Sequence, residues 1–256
     1  MSEIDYGRHY RRYHADTAEH RRWQVEFNRR LLHSHLPDLR ALPALEIGCG
    51  MGFALQYLAE EGFELVEGID LDASQVETCQ TQGLAAFQVV DAAEYVAARK
   101  DHYGLVLAMD VIEHMSQQEQ LALTRAVYGA LVPGGRLICS VPNANSTVAT
   151  RARYNDFTHQ SSFTESSLDF LLYNGDFRKI EISGYEFMVH PHRSGARHKD
   201  FQRFRHYVKH QVQAYVVWYL FRLVRAWRRI EMIAELDYAE GSRVPLSHNL
   251  LGVATK

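Results

Sequence analysis

Between residues 42 and 189 the chain alternates two textures. Short apolar runs recur: LPALEIG from 42, FELVEGID from 63, AAFQVV from 85, YGLVLAM from 103 and GRLICSV from 135. Between them lie FALQYLAEEG, ASQVETCQTQG, AAEYVAAR and QQEQLALTRAVYGAL, whose apolar residues fall at helical spacing. Strand-length runs alternating with helical patterns predict parallel strands joined by crossover helices, an α/β layer fold. Two further strand patterns, RKIEISGYE and NLLGVATK, follow a helical pattern in FTESSLDFLLYNG.

Local signals agree with this division. Asp72 precedes Gln75 and Ser116 precedes Glu119, and both pairs have the spacing of a capping box. Thr164 is placed to cap the later helix, and Pro133-Gly134-Gly135 is placed to end the helix before the strand at 136–141. Ahead of the alternating region, residues 1–41 form a polar lead-in. Its Trp23, Phe27, Leu31 and Leu32 have helical spacing, ending near Pro37. Tyr6, Tyr10 and Tyr13 in this lead-in are candidates to close over a ligand. Residues 190–247 break the rhythm and read as an insertion before a final strand at 248–256.

Charge sharpens the picture of that insertion. Residues 190–230 carry ten Lys/Arg against Asp200 alone, a net of +9 within a chain whose total is -3. Over 207–230 the apolar positions form a helical stripe flanked by Lys209, Arg222, Arg225, Arg228 and Arg229. Two readings stand open: a helix lying on anionic lipid with Trp218 and Trp227 at the interface, or a helix packed on its own domain or a second subunit. Nucleic acid is disfavoured, since no RNA-binding module is recognisable. The opening residues hold no signal-peptide apolar stretch, and no apolar run reaches about 18 residues. Cys49, Cys79 and Cys139 are few and scattered, which suits reduced thiols. The expectation is a cytoplasmic protein, with peripheral contact at the inner membrane face as the one membrane role left open.

The glycine cluster brings in the chemistry. EIGCGMG places glycines at 48, 50 and 52 directly after the first predicted strand, where backbone can approach a ligand that a Cβ would block. Asp70 closes the second strand 22 residues after Gly48, the spacing of an acid that accepts from ribose hydroxyls. A dinucleotide fingerprint would need a third glycine at 53 or 55, where Phe53 and Leu55 stand. Glu46, two residues before the first glycine, would repel a pyrophosphate and suits a cationic ligand.

Taken in order, LEIGCGMG, GIDLD, VVDAAEYV, YGLVLAMDVIEHM and LVPGGRLICSVPNA over residues 42–141 resemble class I S-adenosylmethionine-dependent methyltransferases. The branch resembled is that of small-molecule and glycan O-methyltransferases, similar to the ubiquinone-type enzymes. The resemblance implies a Rossmann-like, doubly wound, seven-stranded and mostly parallel sheet with a C-terminal antiparallel strand, interrupted before it by the helical insertion. The core domain is then 42–189 together with 248–256.

It also implies site roles. Gly48, Cys49, Gly50 and Gly52 would line the methionine part of S-adenosylmethionine, with Glu46 supporting that loop and the amino group. Asp70 and its neighbour Leu71 would meet the ribose. Asp91 and the Ala92 amide would meet adenine. Met109 and Asp110 would sit where adenosyl group and acceptor meet. For a hydroxyl acceptor a base is required, and His114 and His159 are the candidates, both in segments that follow strand C-termini. Asp110, Glu113, His114 and His159 also resemble the divalent-metal set of some O-methyltransferases, with Asp110 replacing the more usual Glu. A metal is left uncommitted.

The acceptor expected from the DFTHQSSFT segment and the basic insertion is a sugar or glycan of surface polysaccharide synthesis. The alternative is a quinone-type or other phenolic acceptor. A non-catalytic scaffold that binds the cofactor is the reading from another class.

Overall fold

The computed structural model describes residues 17–146, 152–185, 219–220, 222–236 and 238–256. Tyr6, Tyr10, Tyr13, Trp218 and most of the basic insertion lie outside the described residues. The lead-in helix α1 (Ala18–Leu32) is capped by the Thr17 side chain, which accepts from His20 N. A short 3-10 turn carries it to His35.

The core then alternates: β1 (Ala44–Ile47), α2 (Phe53–Glu60), β2 (Val66–Asp70), α3 (Ala73–Thr81), β3 (Ala86–Gln88), α4 (Ala92–Ala97), β4 (Tyr103–Met109), α5 (Gln117–Ala130) and β5 (Leu131–Pro142). After it come α6 (Glu165–Asn174), β6 (Lys179–Tyr185) and β7 (Asn249–Thr255). The seven strands lie in the order β3-β2-β1-β4-β5-β7-β6. Pairing is parallel from β3 to β5, and β7 runs antiparallel to both β5 and β6. This is the expected Rossmann-like, doubly wound sheet.

Both faces of the sheet are covered, which is why the central strands read as continuous apolar runs. Side chains alternate between the two layers. Leu45, Ile47, Val106, Ala108, Leu137 and Cys139 belong to one buried cluster, which Leu123 and Val127 of α5 and Leu168 and Leu172 of α6 also join. Ala44, Leu105, Leu107 and Ile138 belong to the other, with Val25 and Leu32 of α1 and Tyr57 and Leu58 of α2. The winding direction reverses between β1 and β4. In such sheets the crevice beyond the strand C-termini at that reversal is where ligands bind.

Three local expectations change. Helix α5 stops at Ala130, and Leu131 is already extended. Residues directly before a proline disfavour helical backbone, so Pro133 ends the helix ahead of itself, and β5 starts at Leu131 rather than at 136. Asp72 caps α3 by accepting from Ser74 N, without the reciprocal bond from Gln75. Both side-chain polar atoms of Gln75 are buried without a hydrogen-bond partner among the described residues. The insertion helix continues beyond 230, to 236.

Candidate active site

The glycine loop is held in shape by backbone that only glycine adopts readily. Gly48, Gly50 and Gly52 have φ of 69°, 50° and 76°. A Cβ on Gly48 would stand 2.5 Å from Val111 Cγ2, and one on Gly52 2.6 Å from Leu84 Cδ1. The loop after β1 therefore packs directly on the loop after β4, across the reversal point. Gly48 N and Cys49 N both donate to Ile69 O, at 2.8 and 3.1 Å.

Asp70 ties this loop to the end of β2. Its Oδ2 accepts from Gly50 N and its Oδ1 from Asp72 N, both at 2.9 Å. Burial raises its pKa, while the backbone donors of Asp72 and Gly50 pull the other way. Leu71, next along, is 66 % exposed, and Val90 after β3 is 83 % exposed. Val89 N donates to Asp70 O at 2.9 Å, which fixes the β3 end beside the carboxylate. Asp91 accepts from Glu94 N at 2.9 Å and so caps α4, just before Ala92.

Glu46 lies beneath the loop, 5 % exposed, with Oε2 lacking a hydrogen-bond partner among the described residues. Burial first, then the neighbouring Cys79 and Asp70, push its carboxyl well above the usual carboxylate range. A buried acid with an orphaned oxygen is costly. A cationic ligand would relieve that cost. The left-handed glycine turn, the acid below it and the carboxylate at the β2 end suit an amino-acid-bearing nucleoside.

Sequence reasoning passed over Arg21. This α1 residue is buried, its Nη1 donates to Met51 O of the loop at 3.1 Å, and its guanidinium lies 5.0 Å from the Phe53 ring centroid. Helix α1 is fastened to α2 by Arg29, which pairs with Glu60 at 2.8 Å and also with Glu61. One arginine among several in HRRWQVEFNRR carries no sequence signal of its own.

On the β4 side, Asp110 adopts a left-handed φ of 53°. Its N donates to Ser140 O and Oγ at 3.1 and 3.0 Å. Its Oδ1 accepts from Ser140 Oγ at 2.9 Å and Asn249 Nδ2 at 3.0 Å. Asn249 Nδ2 also lies 3.1 Å from Tyr185 Oη. Burial raises the Asp110 carboxyl, and the Ser140 and Asn249 donors oppose that. Met109 is the last β4 residue and pairs with Ser140 in register.

The next turn, Ile112–His114, and the segment 156–161 are clamped together. Gln160 N and Ser161 N donate to Glu113 O at 2.7 and 3.2 Å, and Gln160 Nε2 to His114 O at 2.8 Å. Gln120 Nε2 reaches Ile112 O at 3.0 Å and Ser161 Oγ at 2.9 Å. The clamp brings the His114 and His159 rings to 4.5 Å between centroids, edge to face.

Glu113 joins the two histidines. Ligand atoms of Glu113, His114 and His159 fall within 4.8 Å of one another. His159 Nε2 is 3.9 Å from Glu113 Oε1 and 3.9 Å from Asp156 Oδ2. Both Glu113 oxygens are buried without a hydrogen-bond partner among the described residues. Burial and then the Asp110 charge raise its pKa well above the usual range. A buried carboxylate beside two imidazoles is a donor set that fits a divalent cation. Asp110 stands outside this group, bound instead to Ser140 and Asn249.

The profile of a family described as "Methyltransferase domain" matches residues 13–182. The chain belongs to that family. More narrowly, it is similar to class I S-adenosylmethionine-dependent methyltransferases of the ubiquinone O-methyltransferase type. This methyltransferase is 35 % identical over 125 residues to the ubiquinone biosynthesis O-methyltransferase of Cereibacter sphaeroides, covering 47 % of this chain and 49 % of that one. It is 32 % identical over 114 residues to the protein of the same name from Rickettsia felis, covering 43 % and 45 %. The chain thus spans about half the length of the curated relatives it matches.

Among solved structures, a SAM dependent methyltransferase from Archaeoglobus fulgidus superposes with a TM-score of 0.67 at 18 % identity, covering 98 % of this chain and all of that one. Phosphoethanolamine N-methyltransferase 2 of Haemonchus contortus, in complex with S-adenosyl-L-methionine, gives 0.57 at 18 % identity, covering 90 % and 52 %. At that identity the likeness is one of fold. The methyltransferase has its glycine loop, Asp70 and histidine pair along one edge of this fold, at the strand C-termini.

Proposed function

We propose that the methyltransferase transfers a methyl group to a hydroxyl of a phenolic, quinone-type acceptor, with His114 and His159 at the acceptor. The observation that carries this is the histidine pair, clamped at 4.5 Å beyond β4 and β5, beside the glycine loop. S-adenosylmethionine, when bound, supplies a methyl carbon on a positively charged sulfur. The chain's part is to hold it and to ready the acceptor. When it is bound, Glu46 would hold the ammonium, Arg21 the carboxylate, Asp70 the ribose, and Leu71 and Val90 the base. A phenolic hydroxyl is a poor nucleophile until its proton is accepted, and an imidazole near neutrality is suited to accept it. Holding acceptor oxygen and methyl carbon in line supplies much of the remaining acceleration.

The phenolic reading is preferred to the glycan one because the relatives are named for ubiquinone biosynthesis. Exposed Tyr154 and Phe157, on the segment that carries His159, suit a planar ring. Calorimetry with S-adenosylmethionine separates an enzyme from a scaffold only in combination with turnover, so the two are measured together on a catechol. Replacing His114 or His159 by Ala is expected to lower kcat by about 100-fold or more and to leave cofactor affinity within about twofold. Unchanged kcat in both variants overturns the base assignment.

The orphaned Glu113 oxygens favour a second reading, in which Glu113, His114 and His159 hold a divalent cation that orients the acceptor. Chelation followed by metal add-back is its test. Full turnover after exhaustive chelation removes it.

The 222–236 helix supports peripheral contact with an anionic membrane surface. Leu223, Val224, Trp227 and Ile230 are exposed along it, while Met232 packs inward with Val244 and Leu246. Arginines 222, 225, 228 and 229 lie on the same helix and outnumber its two acids, Glu235 and Glu231, the latter paired with Arg228 at 2.9 Å.

A further inference from the structure

We infer that Thr158 and Asp156 are positioning residues that fix the tautomer of His114, through a three-member relay from carboxylate to hydroxyl to imidazole. The inference rests on the reading of His114 as the acceptor-side imidazole. Thr158 Oγ1 lies 2.6 Å from Asp156 Oδ1 and 2.8 Å from His114 Nδ1. An ionised carboxylate only accepts, so the single hydroxyl hydrogen of Thr158 goes to Asp156. The Thr158 oxygen is then left as an acceptor toward His114, and Nδ1 must be the ring nitrogen that carries hydrogen. A neutral imidazole protonated at Nδ1 has its lone pair on Nε2.

The relay is held rigidly. Thr158 N donates to the same Asp156 Oδ1 at 2.9 Å, so the threonine is fastened to the carboxylate by backbone and side chain together. The five bonds from Gln160, Ser161 and Gln120 then fix this segment against the turn that bears His114. His159 is placed on the other carboxylate oxygen, its Nε2 3.9 Å from Asp156 Oδ2. One acid therefore faces both rings: His114 through the threonine and His159 directly. The same lone-pair placement serves a proton or a cation, so the relay does not depend on which of the two the site takes.

The test has one arm that needs no acceptor. Long-range proton–nitrogen NMR of the nitrogen-labelled, full-length protein reads the tautomer of each histidine. His114 is expected as the Nδ1–H form in wild type and in Thr158→Ser, and shifted toward the Nε2–H form in Thr158→Val, which keeps the shape and loses the hydroxyl. Nε2–H in wild type, or no change in Thr158→Val, overturns the relay.

In the kinetic arm, with catechol as acceptor, Thr158→Val and Asp156→Asn are expected to lower kcat by about 10–100-fold. S-adenosylmethionine affinity and the acceptor KM should stay within about twofold, and Thr158→Ser should restore most of kcat. A loss in Thr158→Ser as large as in Thr158→Val assigns the residue to packing and ends the inference. If His114→Ala keeps full activity, the base reading fails while the NMR arm still judges the relay. If His114→Ala is inactive and Thr158→Val is not, the relay alone fails.

Discussion

Glu46 shows at the residue scale how this site sets stability against binding. Its carboxyl is buried, one oxygen is orphaned, and its pKa is raised mainly by desolvation. The ligand-free folded protein therefore holds a proton there that the unfolded chain releases at lower pH. That contribution to stability is complete below the unfolded carboxylate pKa and is lost as pH rises through the folded one. Glu46→Gln, which has no charge to desolvate, is expected to melt higher than wild type at neutral pH and to show a shallower fall with pH. The same change should weaken S-adenosylmethionine at least about tenfold, since a charge-assisted contact to the ammonium is lost. Melting curves across pH, paired with calorimetry, check both. A variant that melts lower and binds normally would show that Glu46 only supports the loop.

The elements that matter most at the next scale are turns. Gly52 is the left-handed residue that starts α2, and α2 begins at Phe53. Any side chain there pays for a φ of 76° and drives a Cβ into Leu84 and Cys79. Gly52→Ala is expected to cost about 1–3 kcal/mol, seen as a lower Tm, and to weaken cofactor binding as the loop shifts. A Tm unchanged within a degree would contradict this account of the loop. Asp110 has a comparable backbone in the turn after β4, but its carboxylate is recruited by Ser140 and Asn249. Left-handed backbone at a non-glycine residue marks a place where surrounding structure holds the turn for a purpose.

At the scale of the whole molecule, charge is distributed unevenly between an acidic core and the basic insertion. No described helix is long and apolar enough to cross a membrane. The expected membrane contact is therefore one of surface adhesion. The intact protein should float with phosphatidylglycerol vesicles at low ionic strength and separate from them as salt rises. Leu223→Glu combined with Trp227→Glu should abolish flotation with cofactor affinity unchanged. Failure of the wild type to float at low salt ends the membrane reading and leaves a helix packed on its own domain or on a second subunit.

The sequence by itself determined the alternation of strands and helices, the glycine turn after β1 and the acid that closes β2. Those features are local: a run of apolar residues, a capping serine, three glycines within five positions and an acid at a strand end all lie in short windows where periodicity and turn chemistry act. Tertiary structure decided which distant side chains meet, on the cofactor side and on the acceptor side alike. Arg21 reaches Met51 across 30 residues, Thr158 reaches His114 across 44, and Asn249 reaches Asp110 across 139. No spacing rule encodes such pairs, because they depend on which loops the sheet order brings to one edge. The antiparallel insertion of β7 between β5 and β6 is what places Asn249 at the C-terminal ends of β4 and β5. Packing of segment 156–161 on the turn after β4 turns two histidines in separate motifs into one pair.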